Sequence, residues 1–325
     1  MSAVPNQISP HLVIQPQPGT FTTKNNKGRP VNVKQVLLPF HKFRALIYKT
    51  SLNADFDGAP NCYSSPESVT NLDRRFGAAD HINNATNQVP PHFNANGVNT
   101  FEWKGVVNRP SPNPPQANSL VDDRLFLQDR NHTFPVFQDA TKRFYVSTTA
   151  LAADLNVPET NQKHWVNAAA IPYGVRAGLA QAGVGLGDFG LAIRSATGAH
   201  TGFIIADAGG GGSVGEYSQK LIQTLFPGGA GNSEACFIVF PGSRTGGRVT
   251  VSSIEANVST QVAKLSEVVN TYEIAREFSF PFNWRLGGET LTRTLVQNPQ
   301  MRIEHDNIMK ALREKGYAPN YLIDL

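Results

Sequence analysis

Two carboxylates flank a run of four glycines in GFIIADAGGGGSVGEYSQKLIQTLF, residues 202–226. Asp207 ends an apolar run, and Glu216 follows it by nine positions, after the glycines. Three kinds of site have this composition: a phosphate cradle, a helix cap, and a pair of catalytic carboxylates facing a large substrate. A second acidic element, NADFDGAP (53–60), also follows an apolar run, and its Asp55 and Asp57 stand at i and i+2, facing the same side.

The phosphate cradle is the weakest of the three hypotheses. Gly210, Gly212 and Gly215 satisfy the dinucleotide pattern G-x-G-x-x-G. However, the acid expected at the end of the next strand is absent, and Asp207 would place a negative charge beside a pyrophosphate. A P-loop is excluded because no Gly-Lys-Ser/Thr closes the loop.

The cap and the catalytic pair remain open alternatives. Ser213 and Glu216 have the spacing of a capping box before a predicted helix over 216–226. Glycoside hydrolysis, in turn, needs one acid to protonate the leaving oxygen and a second to activate water or attack carbon. The pair Asp55 and Asp57 has its own structural alternative, an Asx-type turn closed by Gly58.

Short β-rich runs separated by Gly, Pro or Asn must position these acids, and they predict a mainly β, barrel-like core. We expect an extended arm over 1–33, a catalytic barrel over 34–250 with a long irregular insertion at about 58–135, and a helical extension over 251–325. Within the extension, helical spacing marks an apolar stripe, which needs the barrel, a carrier or a second copy of the chain to cover it. The stripe consists of Val258, Val262, Leu265, Val269 and Tyr272.

Composition excludes several classes of function. A chain of 325 residues with 40% hydrophobic and 17% charged residues is not disordered. The net charge of +4 is mild and no basic run occurs, so we expect no nucleic-acid partner. No apolar run reaches the roughly 18 residues of a membrane helix. The two cysteines, Cys62 and Cys236, lack metal-site spacing and are expected to be core thiols.

Six blocks of the sequence, taken in order, resemble glycoside hydrolase family 75, the fungal-type endo-chitosanases. The resemblance covers about residues 44–245, in ADFDGAPNCY, FYVSTTAL, AAAIPYGV, LGDFGLAI, FIIADAGGGGSVGEYS and FIVFPGS. It implies an inverting endo-hydrolase of β-1,4-linked glucosamine polymers, with no cofactor or metal, on a double-psi β-barrel. Members of the family are generally secreted, so an extracellular location is expected, although no signal peptide is visible.

The resemblance also implies roles for individual residues. Asp207 and Glu216 match the essential pair, with Glu216 as the general acid. The base is Asp207 or, as in related barrels, Asp55 or Asp57 of the first strand. Glucosamine chains are cationic, so acidic subsites are expected, with Asp188 as a further candidate. The alternatives are a peptidoglycan-degrading effector and a non-catalytic carbohydrate-binding barrel.

Overall fold

The computed structural model describes residues 21–38, 43–63, 127, 136–141, 143–209, 212–231, 233–266 and 299–316. Most of the predicted insertion, the first 20 residues of the predicted arm, Gly210 and Gly211 lie outside these ranges. So do Val269 and Tyr272 of the apolar stripe.

The described residues form ten strands and three α-helices. The strands are β1 Phe21–Asn25, β2 Pro30–Leu38, β3 Phe43–Ser51, β4 Asn53–Asp55, β5 Tyr173–Val175, β6 Phe189–Ile193, β7 His200–Asp207, β8 Ser213–Val214, β9 Glu216–Ser218 and β10 Glu234–Phe240. The helices are α1 Gln219–Leu225, α2 Val251–Ser266 and α3 Pro299–Glu314, and two 3₁₀ turns cover Gln162–His164 and Ala177–Ala182.

All ten strands belong to one mixed sheet in the order β4-β9-β5-β7-β6-β10-β3-β2-β1-β8. In a flat sheet, β9 and β8 would lie about 38 Å apart, because strands are spaced by roughly 4.8 Å. Yet Gly215 alone separates them in the chain. The sheet must therefore curl until its two ends meet, which confirms the mainly β, barrel-like prediction.

Gly215 makes this junction possible. It adopts φ +110°, and a Cβ built on it would lie 2.7 Å from the carbonyl oxygen of Ser51. Its own carbonyl accepts the N–H of Asn53 at 2.7 Å. A side chain at this position would force β9 away from the β3–β4 connection.

Both faces of the sheet are buried, which explains why the strand runs read as continuously apolar. In β3, Ala45 and Ile47 enter one core cluster while Leu46 and Tyr48 enter the other. In β10 the two sets are Cys236, Ile238 and Phe240 against Ala235, Phe237 and Val239. Cys62 and Cys236 form no disulfide, and both thiols are buried, as expected.

The C-terminal helices cover one of these faces. Val258 and Val262 of α2 are fully buried in the first core cluster, together with Ile308 and Leu312 of α3. Glu255 of α2 accepts the backbone N–H of Gly202 in β7 at 2.9 Å. The buried apolar side chains of both helices therefore pack on their own chain, whereas Val251 and Ile303 are exposed. None of the described helices has the length and apolar character to cross a membrane.

Two sequence-based predictions of local structure are wrong. Residues 21–33, expected as part of an arm, form β1 and the start of β2, which pair as an antiparallel hairpin. The helix expected to begin at residue 216 begins at Gln219, because 216–218 pair with β4 as strand β9. Its N-cap is Ser218, whose side chain accepts the N–H of Leu221.

Candidate functional site

Asp207 stands at the carboxyl end of β7, where the chain leaves the sheet. Its side-chain Oδ1 accepts the backbone N–H groups of Ala208 at 2.7 Å and of Ala150 at 3.1 Å. Hydrogen bonds from N–H groups favour the charged carboxylate. Gly209 follows at φ +62°, and a Cβ there would lie 2.3 Å from Val175 Cγ1, so only glycine allows this exit path.

Asp55 and Asp57 are positioned by the turn that follows β4. The Asp57 N–H donates to Asp55 Oδ1 at 2.9 Å, which closes the predicted Asx-type turn. Gly58 adopts φ +76°, and a Cβ on it would lie 2.0 Å from the Val166 carbonyl oxygen. The turn is therefore seated tightly against the segment around Val166.

The structure brings Asp55 and Asp57 together with Asp207. One side-chain oxygen from each residue lies within 4.8 Å of those of the other two. We call these three residues the acidic cluster. Carboxylate oxygens are ligands of hard cations, and this is the single such group in the part of the chain that the structure describes. The same arrangement also suits proton transfer, so the acidic cluster alone is not evidence that a cation binds there.

Asp55 is the most deeply buried member of the acidic cluster, with 7% of its surface exposed. Burial raises its pKa well above the usual value, and the negative charge of Asp207 raises it further. Hydrogen bonding from the Asp57 N–H opposes these effects, and the charge of Glu216 adds to them. Asp55 is therefore inclined to keep its proton at a pH where an exposed aspartate would be ionised.

Glu216 is the first residue of β9 and lies opposite Asn53 of the parallel strand β4. It is half-buried, and its charge acts on Asp55 although it is not a member of the acidic cluster. The capping-box hypothesis is wrong, because Glu216 lies in a strand and Ser213 Oγ donates to Asn26 Oδ1 at 2.7 Å instead. Of the five predicted site residues, Asp55, Asp57 and Asp207 form the acidic cluster, and a fourth, Glu216, acts on it through its charge.

Asp188 has a different environment from the other four acids. It is 1% exposed, and its carboxylate accepts the N–H of Gly185 at 2.7 Å and that of Arg244 at 3.2 Å. A carboxylate so enclosed joins two loops and has no surface to offer a polymer. The expectation that Asp188 binds substrate is therefore not supported by its position.

Two tyrosines contact the acidic turn, and sequence reasoning missed both. Tyr63 OH donates to Asp57 Oδ1 at 2.7 Å, and Tyr173 OH donates to the Asp57 carbonyl at 2.9 Å. Tyr63 is 1% exposed and Tyr173 fully buried. Both lie within the quoted blocks, but no spacing rule links an aromatic residue in a loop or in β5 to a carboxylate.

The comparisons with known proteins leave the geometry as the main guide to function. No protein-family model matches the sequence, and no curated protein is significantly similar to it. The acidic cluster, Glu216 and the two tyrosines are therefore the observations on which a function can be built.

Proposed function

We propose that this protein is an inverting glycoside hydrolase, as in glycoside hydrolase family 75. It cleaves internal β-1,4 linkages of glucosamine polymers of the chitosan type. The observation that carries the proposal is the acidic cluster, which β4, the turn after it and β7 bring together, with the charge of Glu216 acting on it. Such a polymer lies outside the cytoplasm, so the proposal includes an extracellular site of action.

The finer fold, a double-psi β-barrel, belongs to the same proposal. The continuous segment 213–218 pairs in parallel with β1 through β8 and with β4 through β9. Parallel pairing at both ends of a short crossing segment supports a closed barrel with interlocked connections. Its mouth would carry the acids at the strand ends.

The spacing of the carboxylates constrains which of them can work as a pair. Inverting enzymes keep their two carboxyl groups about 6.5–9.5 Å apart, to leave room for a water. Members of the acidic cluster lie within 4.8 Å of each other and are too close for that role. We therefore pair Glu216, whose charge acts on Asp55, with one member of the cluster.

The resemblance to glycoside hydrolase family 75 and the surroundings of the carboxyl groups then suggest the roles. Glu216 protonates the glycosidic oxygen as general acid, while the base removes a proton from the attacking water. Asp55, buried and with a raised pKa, holds its proton and is a poor base. Asp207, held by two backbone N–H groups, is the preferred base, and Asp57 is the alternative.

The acidic character of the site also bears on the substrate. Four carboxyl groups lie together on a protein whose net charge is +4. The strongest charges acting on Asp55 are both negative, those of Asp207 and Glu216. A locally negative site on a basic protein attracts a polymer of ammonium groups and repels the anionic chains of peptidoglycan.

Product analysis tests the proposal directly. The wild-type protein is incubated in parallel with chitosan, N-acetylated chitin oligomers and peptidoglycan, and we expect shorter oligomers from chitosan. Glu216→Gln and Asp207→Asn should each lower kcat by at least about 100-fold, because proton transfer contributes roughly 10²–10⁴-fold. Their melting temperatures should stay within a few degrees of the wild type.

Glu234→Gln is the matched control, because Glu234 also begins a strand, β10, but pairs with Lys49 at the surface. It should retain wild-type turnover. Full activity in Glu216→Gln would remove Glu216 from the mechanism. Cleavage of peptidoglycan alone would favour the effector hypothesis, and no cleavage of any polymer would favour a binding protein.

A further inference from the structure

The buried hydroxyl group of Tyr63 contacts the acidic cluster and has no part in the mechanism proposed above. Tyr63 OH donates a hydrogen bond of 2.7 Å to Asp57 Oδ1. At that length, a hydroxyl bound to a carboxylate is charge-assisted and stronger than a neutral hydrogen bond. Tyr63 is 1% exposed, so water does not compete freely for the hydroxyl.

The backbone beneath Asp57 is already held from several sides. Tyr173 OH donates to the Asp57 carbonyl at 2.9 Å, and Gly58 N–H donates to Ser147 Oγ at 3.0 Å. Gln162 Nε2 donates to the Gly58 carbonyl at 2.8 Å. With the main chain fixed in this way, the remaining freedom of Asp57 is the rotation of its side chain.

Tyr63 limits that rotation. Asp57 is half-buried, and its carboxylate lies beside those of Asp55 and Asp207, which repel it. Without a hydrogen bond on its buried side, an ionised Asp57 would turn away from the other two carboxyl groups and towards solvent. The Tyr63 hydroxyl offsets this repulsion by binding Asp57 Oδ1 at 2.7 Å, and the thiol of Cys62, a weak donor, lies 3.8 Å from the same oxygen.

We propose that Tyr63 is a positioning residue of the site, whose hydroxyl holds the Asp57 carboxylate within the acidic cluster. The inference rests on the proposed function, because Asp57 belongs to the carboxylates that face substrate in that scheme. Tyr63 itself is buried and touches no substrate. It acts through Asp57, either as the base or as a neighbour that sets the geometry of Asp207.

The test compares Tyr63→Phe with Tyr48→Phe. Tyr48 is also a buried tyrosine, 3% exposed, and its hydroxyl pairs with that of Tyr217 at 2.9 Å in the second core cluster. Each variant loses one buried hydroxyl and keeps its ring, and Tyr63→Phe should lose the more stability of the two because its hydrogen bond is charge-assisted. We expect Tyr63→Phe to lower kcat on chitosan about 10- to 100-fold with KM changed less than threefold, and Tyr48→Phe to keep kcat within about threefold.

A double-mutant cycle separates positioning from general stability. If Tyr63 acts through Asp57, Tyr63→Phe should have no further effect on kcat in an Asp57→Ala background. The same cycle, measured as free energies of unfolding in urea, needs no substrate. Tyr63→Phe should lower the free energy of unfolding of the wild-type protein but not that of the Asp57→Ala protein.

The outcomes are distinguishable from those of the proposed function. An active wild type that needs Glu216, together with unchanged kcat in Tyr63→Phe, overturns the positioning role alone. Equal losses of kcat in Tyr63→Phe and Tyr48→Phe, or additive effects of Tyr63→Phe and Asp57→Ala, also overturn it. Inactivity of the wild type on every polymer instead counts against the hydrolase proposal and removes the reaction for which Tyr63 would position Asp57.

Discussion

Gly58 offers a quantitative test of how tightly the acidic turn is seated. It adopts φ +76°, and a Cβ at this position would lie 2.0 Å from the Val166 carbonyl oxygen and 2.9 Å from Thr149 Cγ2. Gly242 has almost the same φ, +77°, but a Cβ there would meet no atom within 4 Å. Substituting alanine at both positions therefore separates the backbone cost from the steric cost.

The expected free energies follow from these two terms. A left-handed conformation costs an alanine about 1–2 kcal/mol, and the reduced freedom of the unfolded chain offsets about 0.4–1 kcal/mol of it. Gly242→Ala should thus cost about 0.5–1 kcal/mol. Overpacking adds about 1–3 kcal/mol, so Gly58→Ala should cost about 1.5–4 kcal/mol in total.

Urea unfolding at pH 7 measures both variants against the wild type, with the midpoint and slope fitted for each. Because Asp55 and Asp57 share the turn with Gly58, Gly58→Ala should also lower chitosan turnover, while Gly242→Ala should not. Equal free energies of unfolding for the two variants would refute the reasoning, since the contact with Val166 would then exert no force on the turn.

Two further predictions concern Asp55 and Ser218. Burial raises the pKa of Asp55 in the folded chain, so its unfavourable contribution to stability appears as pH rises above about 3.9, where the unfolded chain ionises, and grows until the pKa of the folded state is passed. Asp55→Asn should therefore unfold at higher urea than the wild type at pH 7 and lose that advantage towards pH 3; a gap that is constant with pH would contradict this. Ser218 Oγ accepts the N–H groups of Leu221 and Tyr173, so Ser218→Ala should cost about 1–3 kcal/mol, whereas Ser213→Ala should cost less than about 0.5 kcal/mol. The reverse order in urea unfolding would restore Ser213 as the cap.

Local patterns were sufficient to predict the strands that end at the site. The apolar run before Asp207 is β7, and the run before Asp55 continues through β3 into β4. Their convergence could also be expected, because strand-end acids in a barrel face one mouth. The short, continuously apolar runs and the turn residues that bound them carried this information within a few neighbours.

The errors arise where distant pairing decides the local structure. Residues 216–218 precede Leu221 and Leu225, which have helical spacing, yet they are a strand because β4 pairs with them. The polar segment 21–33 looked like an arm because one of its partners, β8, is distant in the sequence. Asp188 was chosen for its charge alone, and nothing nearby in the sequence indicates that the N–H groups of Gly185 and Arg244 would enclose it.

The position of β10 has a consequence for synthesis of the protein. It is inserted between β6 and β3, near the middle of the sheet, although it comes last of the ten strands in the chain. Until residues 234–240 have left the ribosome, β3 and β6 each present an unpaired apolar edge, which is the surface that invites aggregation. The nascent chain should therefore need a chaperone, or rapid completion of translation, until its last strand joins the two halves of the sheet.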